Sequence, residues 1–176
     1  MTYKPPYWYH DNIKFCANDL EYLKSNINAT QQPEGAEQFS TFHLEEHEKP
    51  EFKFLSFYKK IIEDITKNVG MYYKVTYDAP FWTQLYDGGM YHRPHQHAEI
   101  EPHCDSAISW VHFLDVPEQK CFRFTDMKGN TLVPSEQNNG DIICFPSWVW
   151  HEVLPNESNK KRLVTAGNIK ITHYDS

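Results

Sequence analysis

The chain has 176 residues, of which 40% are hydrophobic, enough for one compact domain with a substantial core. A formal charge of −7 excludes the broad basic footprint that non-specific nucleic-acid binding requires. The four cysteines form no CxxC pair, and the polar, aromatic start MTYKPPYWYHDN reads as neither secretory signal nor membrane span, so free thiols in the cytoplasm are expected.

Residues 1 to about 75 read as helical in character. Asn18 is placed to cap a short helix, Asp19–Asn26, with acids in its first turn. Residues 30–50 are polar and read as a long loop. A second helix is predicted from Glu51 to Asn68. Its residues Phe54, Leu55, Tyr58, Ile61, Ile62, Ile65 and Val69 follow the three-and-four spacing of one buried face, and Gly70 offers a C-terminal stop.

From about Tyr72 the pattern changes to short aromatic and β-branched runs between Gly, Pro, Asp and Asn turns. Predicted strands are Tyr72–Thr76, Phe81–Leu85, Met90–His95, Ala107–Asp115, Cys121–Phe124, Thr131–Val133, Ile142–Phe145, Val149–Val153 and Leu163–Ile171. Strands this short and numerous predict a jelly roll over residues 76–176, with the helical part, residues 1–75, packed outside as support within a single domain. Trp82, Trp110, Trp148 and Trp150 read as core, and Cys104 and Cys144 as small apolar filler inside strands.

Three residues carry the chemistry. His103 and Asp105 alternate onto one face of a strand while Cys104 points away. His151, in SWVWHEV, is a distal third donor. Two imidazoles and a carboxylate bind one face of Fe(II) and leave open positions for substrate and O2. The segment Leu154–Lys161 reads as a hairpin turn; centred between Asn156 and Glu157, it sets His151 opposite Arg162 on one face. An arginine there suits bidentate capture of a carboxylate, such as the distal one of 2-oxoglutarate. Tyr86 and Tyr91 precede the site on their strands and are candidates for polar contacts to the same group.

These residues resemble the Fe(II)/2-oxoglutarate oxygenase superfamily, and in particular its 2OG-Fe(II) oxygenases of bacterial and phage type, related to prolyl hydroxylases. The C-terminal signature of that group is matched by Gly140, Phe145-Pro146-Ser147-Trp148, His151, Arg162 and Asn168. Its N-terminal signature is matched by Trp82, Gly88-Gly89 and Pro94-His95-Gln96-His97. The resemblance spans about residues 80 to 170. It implies a double-stranded β-helix, cupin-like in architecture, with Fe(II) on His103, Asp105 and His151. It further implies 2-oxoglutarate on Arg162, O2, and hydroxylation of a small-molecule or peptidyl substrate, prolyl included. One departure is Val164, where the group often has a serine two residues after the arginine.

A rival ligand set is open. Gly89, then His95-x-His97, then Glu101, with His151 later, resembles the metal motifs of cupins and needs no 2-oxoglutarate. Pro102 after Glu101 is awkward for a paired strand, and Arg162 has no role in that site. A third reading makes the domain a non-catalytic binding module with structural histidines. The first two readings share the fold and His151.

Overall fold

The computed structural model describes residues 3–27, 37–68, 75–98 and 106–174. The described residues form two sheets. Eleven strands run in chain order: β1 (Trp8–Asn12), β2 (Phe39–Ser40), β3 (Val75–Asp78), β4 (Phe81–Tyr86), β5 (His92–His95), β6 (Ser106–Asp115), β7 (Phe122–Thr125), β8 (Thr131–Leu132), β9 (Asp141–Pro146), β10 (His151–Val153) and β11 (Arg162–Tyr174). The larger sheet has the order β1-β9-β6-β11-β4-β2, with β3 also paired to β11. The smaller has the order β5-β10-β7-β8. These strands pair antiparallel.

Between the sheets lies an aromatic core that includes Trp82, Tyr86, Phe113, Phe122, Phe124 and Phe145. The outer face of the larger sheet is covered by two helices, α1 (Ala17–Ile27) and α2 (Leu55–Asn68). Helix α2 buries Tyr58, Ile61, Ile62 and Ile65 against Phe81, Trp110 and Ile169. Each buried isoleucine contributes roughly 1.5–3 kcal/mol. Helix α1 seats Leu23 and Ile27, one turn apart, on Leu85, Leu114 and Leu163. Gly167 sits opposite Trp110, and a Cβ there would come within 2.6 Å of the indole, so only glycine lets the ring lie across β11.

The jelly-roll reading with outer helices holds, and most expected strands fall within a residue or two of their observed bounds. Several details differ. The N-terminal part is not helical throughout, because Trp8–Asn12 adds an edge strand to β9 and Phe39–Ser40 pairs with β4. Both runs are short, and their strand state comes from tertiary pairing rather than local pattern. Helix α1 begins at Ala17, so Asn18 lies inside its first turn instead of capping it. The expected helix from Glu51 opens as a 3₁₀ turn, Pro50–Phe54, because proline at its start suits a tight first turn. Val69 and Gly70 lie outside the described residues. Trp82 and Trp110 are core and Cys144 is fully buried, but Trp148 is 58% exposed, in a turn where no sheet covers it. No helix among the described residues is long and apolar enough to cross a membrane.

Candidate metal centre

Three imidazoles converge in the space between the sheets. Strand β5 pairs with β10 so that His95 faces His151 directly. His97 follows two residues after His95, beyond the end of β5. One nitrogen from each of His95, His97 and His151 lies within 4.8 Å of the other two. The rings pack closely, with centroids of His95 and His151 4.3 Å apart and those of His97 and His151 5.1 Å apart. Phe122 and Phe145 wall off His151, leaving it 5% exposed.

Backbone carbonyls set the tautomers. Nδ1 of His151 donates to the Val149 carbonyl at 3.0 Å, and Nδ1 of His95 donates to the Arg93 carbonyl at 2.8 Å. Each ring therefore keeps Nε2 as its free lone pair, the arrangement typical of a metal-ligating histidine with its outer partner in place. Burial is the first cause holding all these rings neutral. It pulls His151 well below the ordinary histidine range, with the His95 and His97 rings adding to the effect. It brings His97 to about 3, and it lowers His95 against the opposing effect of that ring's hydrogen bond to the Arg93 carbonyl. Neutral imidazole is the form that binds a metal.

A fourth histidine, His92, stacks on His95 at 4.0 Å and is held at about 3 by burial, then by His95, His97 and Arg162. It lines the same pocket, together with Gln84, Tyr86 and Arg162, but does not complete the ligand group. The pocket is narrow and partly open to solvent at its mouth. The strand alternation of Trp82, Gln84 and Tyr86 points all three inward. That alternation would have revealed Gln84 in the sequence; His92 stood beside PHQH without a distinguishing signal.

Arg162 closes the far side. It is 2% exposed, and its Nη1 is buried with no hydrogen-bond partner. The guanidinium lies 4.9 Å from the Tyr86 ring centre and 5.6 Å from that of Phe113. Burial lowers its pKa, yet a guanidinium stays charged in a protein. A buried, charged donor without an acceptor is costly unless an anion completes it. Tyr86 is neutral, its phenol pushed up to about 12 by burial, and it donates to Gln84 Oε1 at 3.2 Å.

The expected residues divide as follows. His151, Arg162 and Tyr86 line one pocket. The hairpin expected to join His151 to Arg162 does not form. Strand β10 belongs to the smaller sheet and β11 to the larger, so the chain crosses between sheets and the two side chains meet across the interior. Asn156 anchors that crossing, its side-chain amide donating to the carbonyls of Tyr86 and Lys160. Tyr91 is partly buried, its amide bonded to the Glu37 carbonyl, and it is not among the described residues lining the pocket. His103, Asp105 and Glu101 lie outside the described residues. His95 and His97, from the rival set, are the ones brought to His151.

The donor set fits a divalent transition metal. Imidazole nitrogens suit iron, and three on one face leave further positions open. The orphaned Arg162 nitrogen fits the free carboxylate of a keto-diacid in the same pocket.

Comparison with known proteins agrees. Residues 80–168 match the family described as "Putative 2OG-Fe(II) oxygenase". No curated protein matches the sequence. Among solved structures, a Pseudomonas putida prolyl-4-hydroxylase is similar at 16% identity, covering 95% of this chain and 93% of that one, with a TM-score of 0.62. A Trichoplax adhaerens prolyl hydroxylase, solved with a peptide fragment of the hypoxia inducible factor oxygen degradation domain, is 14% identical over 94% of this chain and 83% of its own, with a TM-score of 0.62. The non-heme alpha ketoglutarate dependent epimerase SnoN, from nogalamycin biosynthesis, is 12% identical over 94% and 77%, with a TM-score of 0.67. At these identities the likeness is one of fold, the double-stranded β-helix.

Proposed function

Since the chain belongs to the 2OG-Fe(II) oxygenase family and so uses Fe(II), 2-oxoglutarate and O2, we propose that it holds the iron on His95, His97 and His151 and the co-substrate on Arg162. The observation that carries this reading is one pocket containing both the three neutral imidazoles and the unpaired Arg162 nitrogen. This set takes its ligands from the rival reading and its chemistry from the first. It departs from two imidazoles plus a carboxylate, and His103 with Asp105 is the alternative ligand pair.

The iron, when bound, supplies coupled decarboxylation of 2-oxoglutarate and activation of O2 for C–H hydroxylation. The protein's own residues do the rest. His95 and His151, locked by backbone carbonyls, present fixed lone pairs. Arg162 takes the distal carboxylate with its fork of donors. Tyr86 and Gln84 stand beside it and replace the hydroxyl lost at Val164. Phe122 and Phe145 exclude water from the His151 side. A peptidyl substrate, prolyl included, is favoured by the likeness to prolyl hydroxylases, one of them solved with a peptide.

The test is succinate formation from 2-oxoglutarate by protein purified without a histidine tag and supplied with Fe(II). Turnover abolished in His95→Ala, His97→Ala and His151→Ala but kept in His103→Ala and Asp105→Ala supports the assignment. Turnover lost in His103→Ala, Asp105→Ala and His151→Ala but kept in His95→Ala and His97→Ala moves the iron to His103 and Asp105. Absence of 2-oxoglutarate binding by the wild type contradicts the co-substrate site.

A further inference from the structure

Two residues of the sequence signature, Ser147 and Asn168, have no part in the chemistry above. Both are buried, Ser147 at 0% and Asn168 at 7% exposure. They meet at Ser109 on β6, whose hydroxyl lies 2.8 Å from the Asn168 side-chain carbonyl and 3.0 Å from the Ser147 hydroxyl. A hydroxyl has one proton to give. With Ser109 donating to Asn168, Ser147 donates to Ser109, and the three side chains form a directed chain.

The backbone of Ser147 is equally committed. Its amide donates to the Ala107 carbonyl at 3.2 Å. Its carbonyl accepts two amides, from His97 at 2.9 Å and Ala98 at 3.2 Å. Its donors and acceptors are thus all engaged inside the protein, as full burial demands. The turn it begins is closed by the Val149 amide on the Pro146 carbonyl, and Val149 in turn orients His151 through its own carbonyl.

We propose that Ser147 is a positioning residue for the metal centre, and that Ser109 and Asn168 hold it in place. The inference rests on the His95, His97 and His151 assignment. His97 lies past the end of β5, so ladder hydrogen bonds do not fix it. Its place relative to His151 comes from the Ser147 carbonyl, and the Ser147 carbonyl is aimed by the hydroxyl chain behind it. Partners of this kind, which do not touch the metal, typically change metal affinity about 10–100-fold when removed.

The experiment titrates the full-length, untagged chain with Co(II), reading the visible d–d spectrum and the dissociation constant. Thermal stability is measured on each variant, with Ile65→Val in helix α2 as a control for stability loss on the far face of the sheet. Ser147→Ala and Ser109→Ala should each weaken Co(II) binding about 10-fold or more and alter the spectrum. The double variant should be little worse than the poorer single one, because both act through one junction. Ile65→Val should lower the melting temperature and leave the Co(II) constant unchanged. Should Ser147→Ala not fold, Ser109→Ala carries the test, since it leaves the Ser147 backbone intact. Folded serine variants that bind Co(II) like the wild type, with the same spectrum, overturn the positioning role alone. A wild type that binds no Co(II), or binds it unchanged in His151→Ala, overturns the metal assignment and this inference with it.

Discussion

The larger sheet buries polar groups on both of its faces, and the two faces treat them differently. Toward the helices lies His112, 0% exposed, with both ring nitrogens engaged. Its Nε2 donates to the Ile13 carbonyl at 2.8 Å, and the Tyr58 hydroxyl donates to Nδ1 at 3.3 Å. Toward the smaller sheet lies the pocket with His151, equally buried but with only Nδ1 engaged. The carboxyl of Glu51 on the outer side accepts from the Thr41 hydroxyl and the Thr83 amide at Oε1, its Oε2 is buried without a partner, and burial raises its pKa, the direction in which a carboxyl gives up its charge. Arg162 on the inner side has no such escape, because it cannot shed its charge. A satisfied buried histidine is structural. In the reading proposed above, a buried histidine with its lone pair left over, beside two further imidazoles, is a ligand.

The largest expected effect tests that contrast directly. His151→Ala should abolish stoichiometric metal in protein purified without a tag, whereas His112→Ala should retain it and lose stability instead; elemental analysis of both decides. Next is Arg162→Met. Hydrogen bonds to charged groups contribute about 1.5–3 kcal/mol, so 2-oxoglutarate affinity should fall roughly 10- to 100-fold while metal binding is unchanged. Calorimetry with 2-oxoglutarate, then with Mn(II) alone, separates the two.

Acid sensitivity gives a third test. Burial, the first cause, lowers His112 to about 4, below the unfolded value of 6.5. As pH falls, the unfolded chain takes up that proton first, so stability is present above pH 6.5 and is lost on the way to pH 4. Between pH 7 and pH 5 this one group costs roughly 2 kcal/mol. Urea unfolding of the metal-free protein at both pH values should show a smaller loss in His112→Gln by about that amount. The smallest effect belongs to Tyr58→Phe. It removes one buried hydrogen bond and should cost about 1 kcal/mol, with metal and 2-oxoglutarate binding untouched.

The strands and the buried face of α2 were legible because side-chain periodicity sets them locally. Each of the nine predicted runs overlaps an observed strand, and seven agree with it within two residues at both ends. The edge strand at Trp8–Asn12 was not legible, since its state depends on a β9 partner more than a hundred residues away. At the site, His151 and Arg162 stood out by residue type and spacing. Their nearness comes from a crossover between sheets and not from a hairpin, and the two look alike in an eight-residue polar segment. Six donor residues crowded between His95 and Asp105 allowed more than one ligand set. Register favours the set proposed above: His95 is the cross-strand partner of His151. Pairing over that distance leaves no mark on local pattern. Ser147 and Asn168 were visible as motif residues, but their shared contact at Ser109 exists only in three dimensions.

The most direct measurement of the central claim is a crystal structure of the chain with Mn(II) and 2-oxoglutarate under anaerobic conditions. The account predicts one ion at bonding distance from nitrogens of His95, His97 and His151, with the distal carboxylate of 2-oxoglutarate on Arg162. An ion held by His103 and Asp105, with His95 and His97 turned away, would contradict it.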